Sequence, residues 1–408
     1  MSQKGKSTSM QALEGITVLD LARGYPPAQS TMFLGDFGAR VIKIDSPQGN
    51  KMEIAAGIDP GDERYAALNR LNRNKETVVI NLRSDEGLKV FYRLVKEADV
   101  LVEGFRPGAM KRLRADYDTL KDINPRLIYC SMSGYGSDGP YARLPGHDPC
   151  YLGIAGALSM IGPRSGKPCT PSNYIGDMGG AAMHGLVGIL IALIARDKTG
   201  QGQYIDIAYT DGVISLMEYD ILSYLHTETV PKRGETFMTG LAAWSNVYQC
   251  KDGEYFVVAC GEPQFWKNLC RALEREDLIL YHSAPPEKQE PGIKELAGIF
   301  LTKTRDEWWD FLKNQDTSVA PVYNIDEALD DPQVRHRRMI MEMNHPTLGL
   351  LKQLGFAVKL SETPARIRSH GKVVGTDTQK IMEELGYSQG DIRRLVKEGI
   401  IGCRDNNG

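Results

Sequence analysis

The glycine fingerprints that announce a bound nucleotide are missing. No G-x-G-x-x-G follows the first predicted strand, and no G-x-x-x-x-G-K-[ST] occurs. A nucleotide cradled in the usual Rossmann or P-loop manner is therefore not indicated. Cysteine is sparse and scattered: seven residues, never at C-x-x-C spacing. That pattern argues against a zinc framework and against a secreted disulfide scaffold. No charge sign dominates, with 49 basic residues against 52 acidic and a net charge of −3, so there is no basic field for nucleic acid. The longest apolar run, around 185–195, is short for a bilayer span and holds two glycines. The first residues are polar and lack a signal-peptide core. These absences predict a reduced, cytoplasmic protein, with no metal site, no nucleic acid and no membrane.

What is present is a globular chain of 408 residues, 42% hydrophobic and 25% charged, enough for two or three domains. Short β-branched runs at 16–22, 40–45, 77–82, 100–105 and 127–133 read as strands, and most are apolar on both faces. Helical spacing at 30–36, 84–97 and 117–123 lies between them. The alternation predicts an α/β fold with a mostly parallel sheet. A long helix is expected from about 178 to 197, then a strand at 204–208. Beyond residue 224 the character shifts. A polar linker at 227–239 precedes a hairpin over 246–260, turned by Asp252-Gly253, and then helices at 263–275, 293–301 and 305–315. The expected organisation is a large domain over 1–225, a small α+β domain over 226–330 and a C-terminal segment, 331–408, returning to the large domain. That last segment reads as loops, a strand at 350–358 and helices at 377–385 and 388–398.

Three features are able to carry chemistry. In Gly176-Asp-Met-Gly-Gly180 a carboxylate sits where a helix begins. Free N–H groups there favour an anion, and the glycines let a ligand carbonyl approach the backbone. The plainer alternative is Asp177 as an N-cap. In Pro145-Gly-His-Asp148, His147 is either an acid/base near neutral pH or a helix cap bonded to backbone. Glu262, before Pro263, is by itself an ordinary helix start. Arg106 follows the strand at 100–105, at the end where open α/β sheets bind ligands. The run Asn72-Arg-Asn-Lys75 puts two more cations before a strand, as phosphate clamps or as a solvated face.

Taken in order, these residues resemble the family III CoA-transferases, or CaiB/BaiF family, which includes the 2-methylacyl-CoA racemases. The likeness runs nearly end to end. It passes through Leu13–Leu21, Asp36–Ile44, Asn72–Lys75, Val102-Glu-Gly-Phe-Arg-Pro-Gly108 and Gly146-His-Asp148, then Gly176–Gly180, Thr199–Gln203 and Leu385-Gly-Tyr387. The resemblance implies a Rossmann-like large domain, a small domain and an interlocked dimer, built of one kind of chain or of two related subunits. It implies no tightly bound cofactor but a coenzyme A thioester as substrate. Phe105, Arg106, Arg112, Lys75, Asp148 and Tyr151 are then expected to contact CoA. In the transferases an Asp at the position of Asp177 attacks the thioester, and CoA passes through an aspartyl thioester to an acceptor acid. In the racemases a His at the position of His147 and the same Asp exchange an α-proton, with a Glu at the position of Glu262 supporting the His. This chain carries all three, and Glu103 is the racemase-like form. Its length matches the transferases, and Pro149-Cys150-Tyr151 departs from the racemase run. Ser46 stands where an Arg often contacts CoA. The expectation is CoA transfer from an acyl-CoA, such as succinyl-CoA, to a carboxylic acid, such as an aryl- or alkyl-succinate. A racemase is the alternative, and a non-catalytic partner subunit is a third reading.

Overall fold

The computed structural model describes residues 10–49, 59, 61–172 and 174–404. The chain divides into two compact units. One spans Met1–Ala155, Ser172–Leu216 and His336–Gly408, and the other Gly156–Pro171 and Met217–Arg335. The division falls at 217 and 336 rather than at 226 and 331, and the stretch 156–171 goes with the second unit.

The first unit is built on a seven-stranded sheet. Strands β1 (Thr17–Leu21), β2 (Arg40–Asp45), β3 (Lys75–Ile80), β4 (Val100–Glu103), β5 (Ile128–Ser133) and β6 (Tyr204–Ala208) are all parallel. The short strand Ile401–Gly402 closes the β3 edge in the antiparallel sense. The spatial order places β3-β2-β1 on one side and β4-β5-β6 on the other, so the winding reverses between β1 and β4. Helices cover both faces, which is why the strands are apolar on both sides. Helix α1 (Tyr25–Asp36) follows β1 and starts earlier than the expected 30–36, because Pro26 and Pro27 fall where a first turn needs no N–H donor. Helix α2 (Asp85–Glu97) is capped by Ser84, whose Oγ accepts the Gly87 N–H at 3.0 Å. It turns Leu88, Phe91, Leu94 and Val95 into one core.

The short helix α3 (Asp148–Ile154) begins at His147. The long helix is continuous over 25 residues, Ile175–Thr199, and its most apolar 18-residue stretch has a mean hydropathy of 2.0, so its length and composition would let it cross a membrane. It is longer than the apolar run read from the sequence. Here Ile189, Ala192 and Leu193 are buried in a core shared with β5. Its first part, Ile175–Ala182, is a π-helix, and only Met183–Thr199 (α4) is regular α-helix. Helix α5 (Tyr209–Leu216) follows β6 directly. Near the C-terminus a hairpin pairs Ile340–His345 with Gly349–Leu354; its first strand was not expected.

The second unit has an antiparallel sheet of Ser245–Gln249, Tyr255–Ala259 and Val319–Pro321. Its first connection is a three-residue loop rather than the expected two-residue turn. The Cys250 N–H donates to Glu254 O at 2.8 Å, and Gly253 takes φ 88°. Trp266, Phe256, Phe300 and Trp308 form its core with the helices Pro263–Ala272, Glu290–Phe300 and Arg305–Leu312.

Candidate active site

Where the winding of a parallel sheet reverses, the loops leaving adjacent strands diverge and open a crevice at their carboxyl ends. The first unit has a cavity of about 790 Å³ there. It is lined by residues after β1 (Arg23, Gly24), β2 (Ser46), β3 (Arg83) and β4 (Phe105, Arg106), and by Arg112. Four guanidinium groups, Arg23, Arg83, Arg106 and Arg112, thus border one cavity, and none forms an ion pair among the described residues. Arg23 lies over the Phe105 ring, 5.2 Å from its centroid. Such a lining suits an anionic ligand with a flat group. Below it, Glu103 is buried at the end of β4. Its Oε2 accepts the Phe105 N–H at 2.7 Å and its Oε1 the Ser131 hydroxyl at 2.5 Å. Burial pushes its carboxyl up to about 7.

Helix α1 leads from this cavity to the π segment. It starts beside Gly24, and its Ser30 hydroxyl lies 2.8 Å from the Ala182 carbonyl. The Tyr25 ring lies 5.9 Å from the ring of Tyr174. Tyr174 precedes the π segment in the left-handed region, with φ 50°. Asp177 is the third residue of that segment, not an N-cap. Its own N–H donates to Asp148 Oδ1 at 2.8 Å, and its carboxylate accepts no hydrogen bond among the described residues. Partial burial, then the adjacent Asp148 charge, push its carboxyl up to about 6, against a smaller pull downward from His147. The His147 ring is exposed and makes neither the cap nor the backbone bond that its position allowed. The structure therefore brings Asp177, His147 and Asp148 together. Of the glycines around Asp177, Gly180 has a packing role. A Cβ on Gly212 of α5 would sit 1.8 Å from the Gly180 carbonyl oxygen, so the two backbones touch.

Several expected contacts are placed elsewhere. Lys75 is buried, its amine 2.7 Å from Asp20 Oδ2 and 2.8 Å from Thr31 Oγ1, so it is not a free phosphate clamp. Arg73 is likewise buried and forms a two-pronged pair with Asp36 at 2.9 and 2.6 Å. The Asn72–Lys75 run is therefore neither a clamp nor a solvated face; its cations tie the start of β3 to β1 and to helix α1. Tyr151 and Asp148 are buried beneath the π segment rather than in the arginine-lined cavity. The Tyr151 hydroxyl donates to Gly146 O at 2.6 Å, and its ring packs on Tyr135 and Tyr209. Glu262 belongs to the second unit, exposed, at the start of the helix Pro263–Ala272. Arg23 and Arg83 were not singled out in the sequence. Arg23 stands two residues past β1 and obeys the same strand-end rule that found Arg106.

A mostly parallel sheet with a cation-lined crevice at its switch point, and a half-buried carboxylate, unpaired among the described residues, on an irregular helix, give the chain the make-up of an α/β enzyme. The chain belongs to CoA-transferase family III, whose model matches residues 13–378. It is 32% identical to the alpha-methylacyl-CoA racemase of Homo sapiens over 96% of this chain and 97% of the relative. It is 29% identical to the human succinyl-CoA:glutarate CoA-transferase over 96% and 90%. The crystal structure of a CaiB/BaiF family protein from Brucella suis aligns with a TM-score of 0.79 and 28% identity, covering 92% of this chain and 99% of that one. Acyl-CoA substrates fit this family.

Proposed function

We propose that the protein transfers coenzyme A from an acyl-CoA to a carboxylic acid through Asp177. The observation that carries this reading is the Asp177 carboxylate: half-buried, accepting no hydrogen bond among the described residues, on a backbone pinned by Asp148. A partly desolvated, uncommitted carboxylate is a usable nucleophile. Its oxygen attacks the thioester carbonyl, the C–S bond breaks, and CoA leaves as thiolate with a mixed anhydride left behind. The thiolate then attacks the aspartyl carbonyl, giving an aspartyl thioester and releasing the donor acid. An acceptor carboxylate attacks that thioester, and CoA finally returns to the acceptor's acyl group with Asp177 regenerated. Arg23, Arg83, Arg106 and Arg112 would hold the nucleotide end of CoA in the 790 Å³ cavity. The exposed stripe of Met183, Val187, Ile191 and Ile194 along α4 fits burial against a second, like or related, chain. We place the enzyme in the cytoplasm. Which acid accepts CoA, an aryl- or alkyl-succinate among others, is part of the same test.

One observation favours a second reading. His147 acts electrostatically on Asp177, and its ring is exposed and uncommitted, as a racemase with two acid/bases would require. The deciding experiment incubates the enzyme with α-chiral acyl-CoAs in heavy water, with and without a panel of free acids. Transfer to an acid without deuterium at the α-carbon, abolished in Asp177→Ala, is the expected result. Rapid deuterium uptake without any acceptor, lost in His147→Ala, overturns transfer in favour of racemisation.

A further inference from the structure

The segment that carries Asp177 is braced by a side chain outside the set considered so far. His184 lies on the first turn of α4, two residues past the end of the π segment. Its Nδ1 is 3.2 Å from the Gly179 carbonyl oxygen, and its Nε2 is 3.1 Å from Ser215 Oγ on α5. Ser215 Oγ also lies 2.7 Å from Gly212 O. A carbonyl oxygen can only accept, so the ring nitrogen that faces it must be the protonated one. Nδ1–H therefore donates to Gly179, two residues from Asp177, and Nε2 meets the Ser215 hydroxyl. The two ends of this bridge bracket the close contact between Gly180 and Gly212.

A π turn is a weakly held geometry that concentrates at functional sites. If Ile175–Ala182 relaxed to α-helical bonding, the residues before the change would rotate by roughly 100° about the axis, the step of one residue at 3.6 per turn. The Asp177 carboxylate would then face elsewhere. Gly179 and Gly180 have no side chains to resist such a slip, and at the segment's start Tyr174 supplies no side-chain cap, so Asp148, through the Asp177 N–H, is the side chain that holds that end among the described residues. Described side chains reach two carbonyls in this stretch: the Ser30 hydroxyl reaches that of Ala182 at its far end, and the imidazole reaches that of Gly179, two residues from Asp177. We propose that His184, braced by Ser215, is a positioning residue that holds the π segment in register and thereby aims Asp177. The proposal rests on Asp177 as the reacting group.

The test measures kcat and KM for the acyl-CoA in His184→Leu, His184→Asn, Ser215→Ala and Asp177→Ala. The Asn amide nitrogen falls near the place of Nδ1 and keeps the donation to Gly179; Leu removes it. Misplacing a reacting group by about 1 Å costs roughly 10²-fold. Accordingly His184→Leu should lose about that much in kcat with KM within about twofold, because the arginine-lined cavity is untouched. His184→Asn should recover at least about tenfold of the loss, and Ser215→Ala should fall only a few-fold. A His184→Leu enzyme with wild-type kcat, or one whose KM rises as its kcat falls, overturns the proposal. So does His184→Asn as slow as Leu. If the Leu variant does not fold, Asn decides: kcat within about tenfold of wild type supports the positioning role, and a 10²-fold loss sinks it. Asp177→Ala separates the two ideas. Inactivity there upholds Asp177 whatever His184 does, whereas activity removes the reading on which the proposal stands.

Discussion

Replacing Asp148 by Asn should move the acid limb of kcat/KM to lower pH. The carboxyl of Asp177 is raised from 3.8 to about 6, by burial first and by the Asp148 charge second. A nucleophile must be ionised, so the wild-type limb should have its midpoint near pH 6, with activity gained as pH rises through it. The introduced amide keeps the oxygen that accepts the Asp177 N–H at 2.8 Å, and so keeps the backbone where it is. What it removes is the negative charge beside a second negative charge. With only burial left to raise it, the Asp177 carboxyl should titrate lower. We expect the midpoint to fall by about one pH unit, the scale of one close like charge in a partly wet site. At pH 5 a group titrating near 6 is about one-tenth ionised and one near 5 about half, so the variant should retain roughly five times more of its own plateau rate. The assay is initial-rate kcat/KM for an acyl-CoA from pH 4.5 to 8, each profile normalised to its plateau. An unmoved limb, or one that moves upward, would show that the wild-type limb does not report Asp177 facing Asp148.

Two further outcomes follow from the cation placements. Arg112→Gln or Arg23→Gln should raise KM for the acyl-CoA by about 10–100-fold, the worth of a charged hydrogen bond, with kcat little changed; an unchanged KM would exclude the cavity as the CoA site. Lys75→Met should act on stability, because it strands buried Asp20 without its partner at a cost of about 3–5 kcal/mol. A denaturation midpoint near wild type together with a raised KM would return Lys75 to the ligand site.

The parallel sheet was legible because its strands are buried on both faces and read as apolar runs. The expected 40–45 and 204–208 match β2 and β6 residue for residue, and the others agree within a few positions. Helix starts were local too: the expected 84–97 and 388–398 begin at Ser84 and Ser388, each of which accepts a backbone N–H of the helix that follows. Elements defined by a distant partner were not. Strand Ile401–Gly402 is only two residues long and exists because β3 has an open edge. Val319–Pro321 is likewise short and pairs with Tyr255–Ala259 from more than fifty residues away.

The site divides along the same line. Arg106 could be found because a strand end is a local signal, and the rule extends to Arg23 and Arg83. Lys75 could not be assigned, because a cation before a strand looks the same in sequence whether it meets solvent, a phosphate or a buried aspartate. Only the fold puts Asp20 at 2.7 Å from its amine. The environment of Asp177 is less local still. Its neighbours in the chain are glycines and a methionine, which suggest a cap and say nothing of charge. Asp148 is 29 positions away, yet its carboxylate both fixes the Asp177 backbone and raises the Asp177 carboxyl toward 6. One residue thus places the proposed nucleophile and weakens its ionisation, and those two effects separate in the Asp148→Asn variant, which keeps the first and removes the second. A loss of rate at all pH values in that variant would mean that placement had failed. A displaced acid limb at full plateau rate would mean that the charge alone had been carrying the shift.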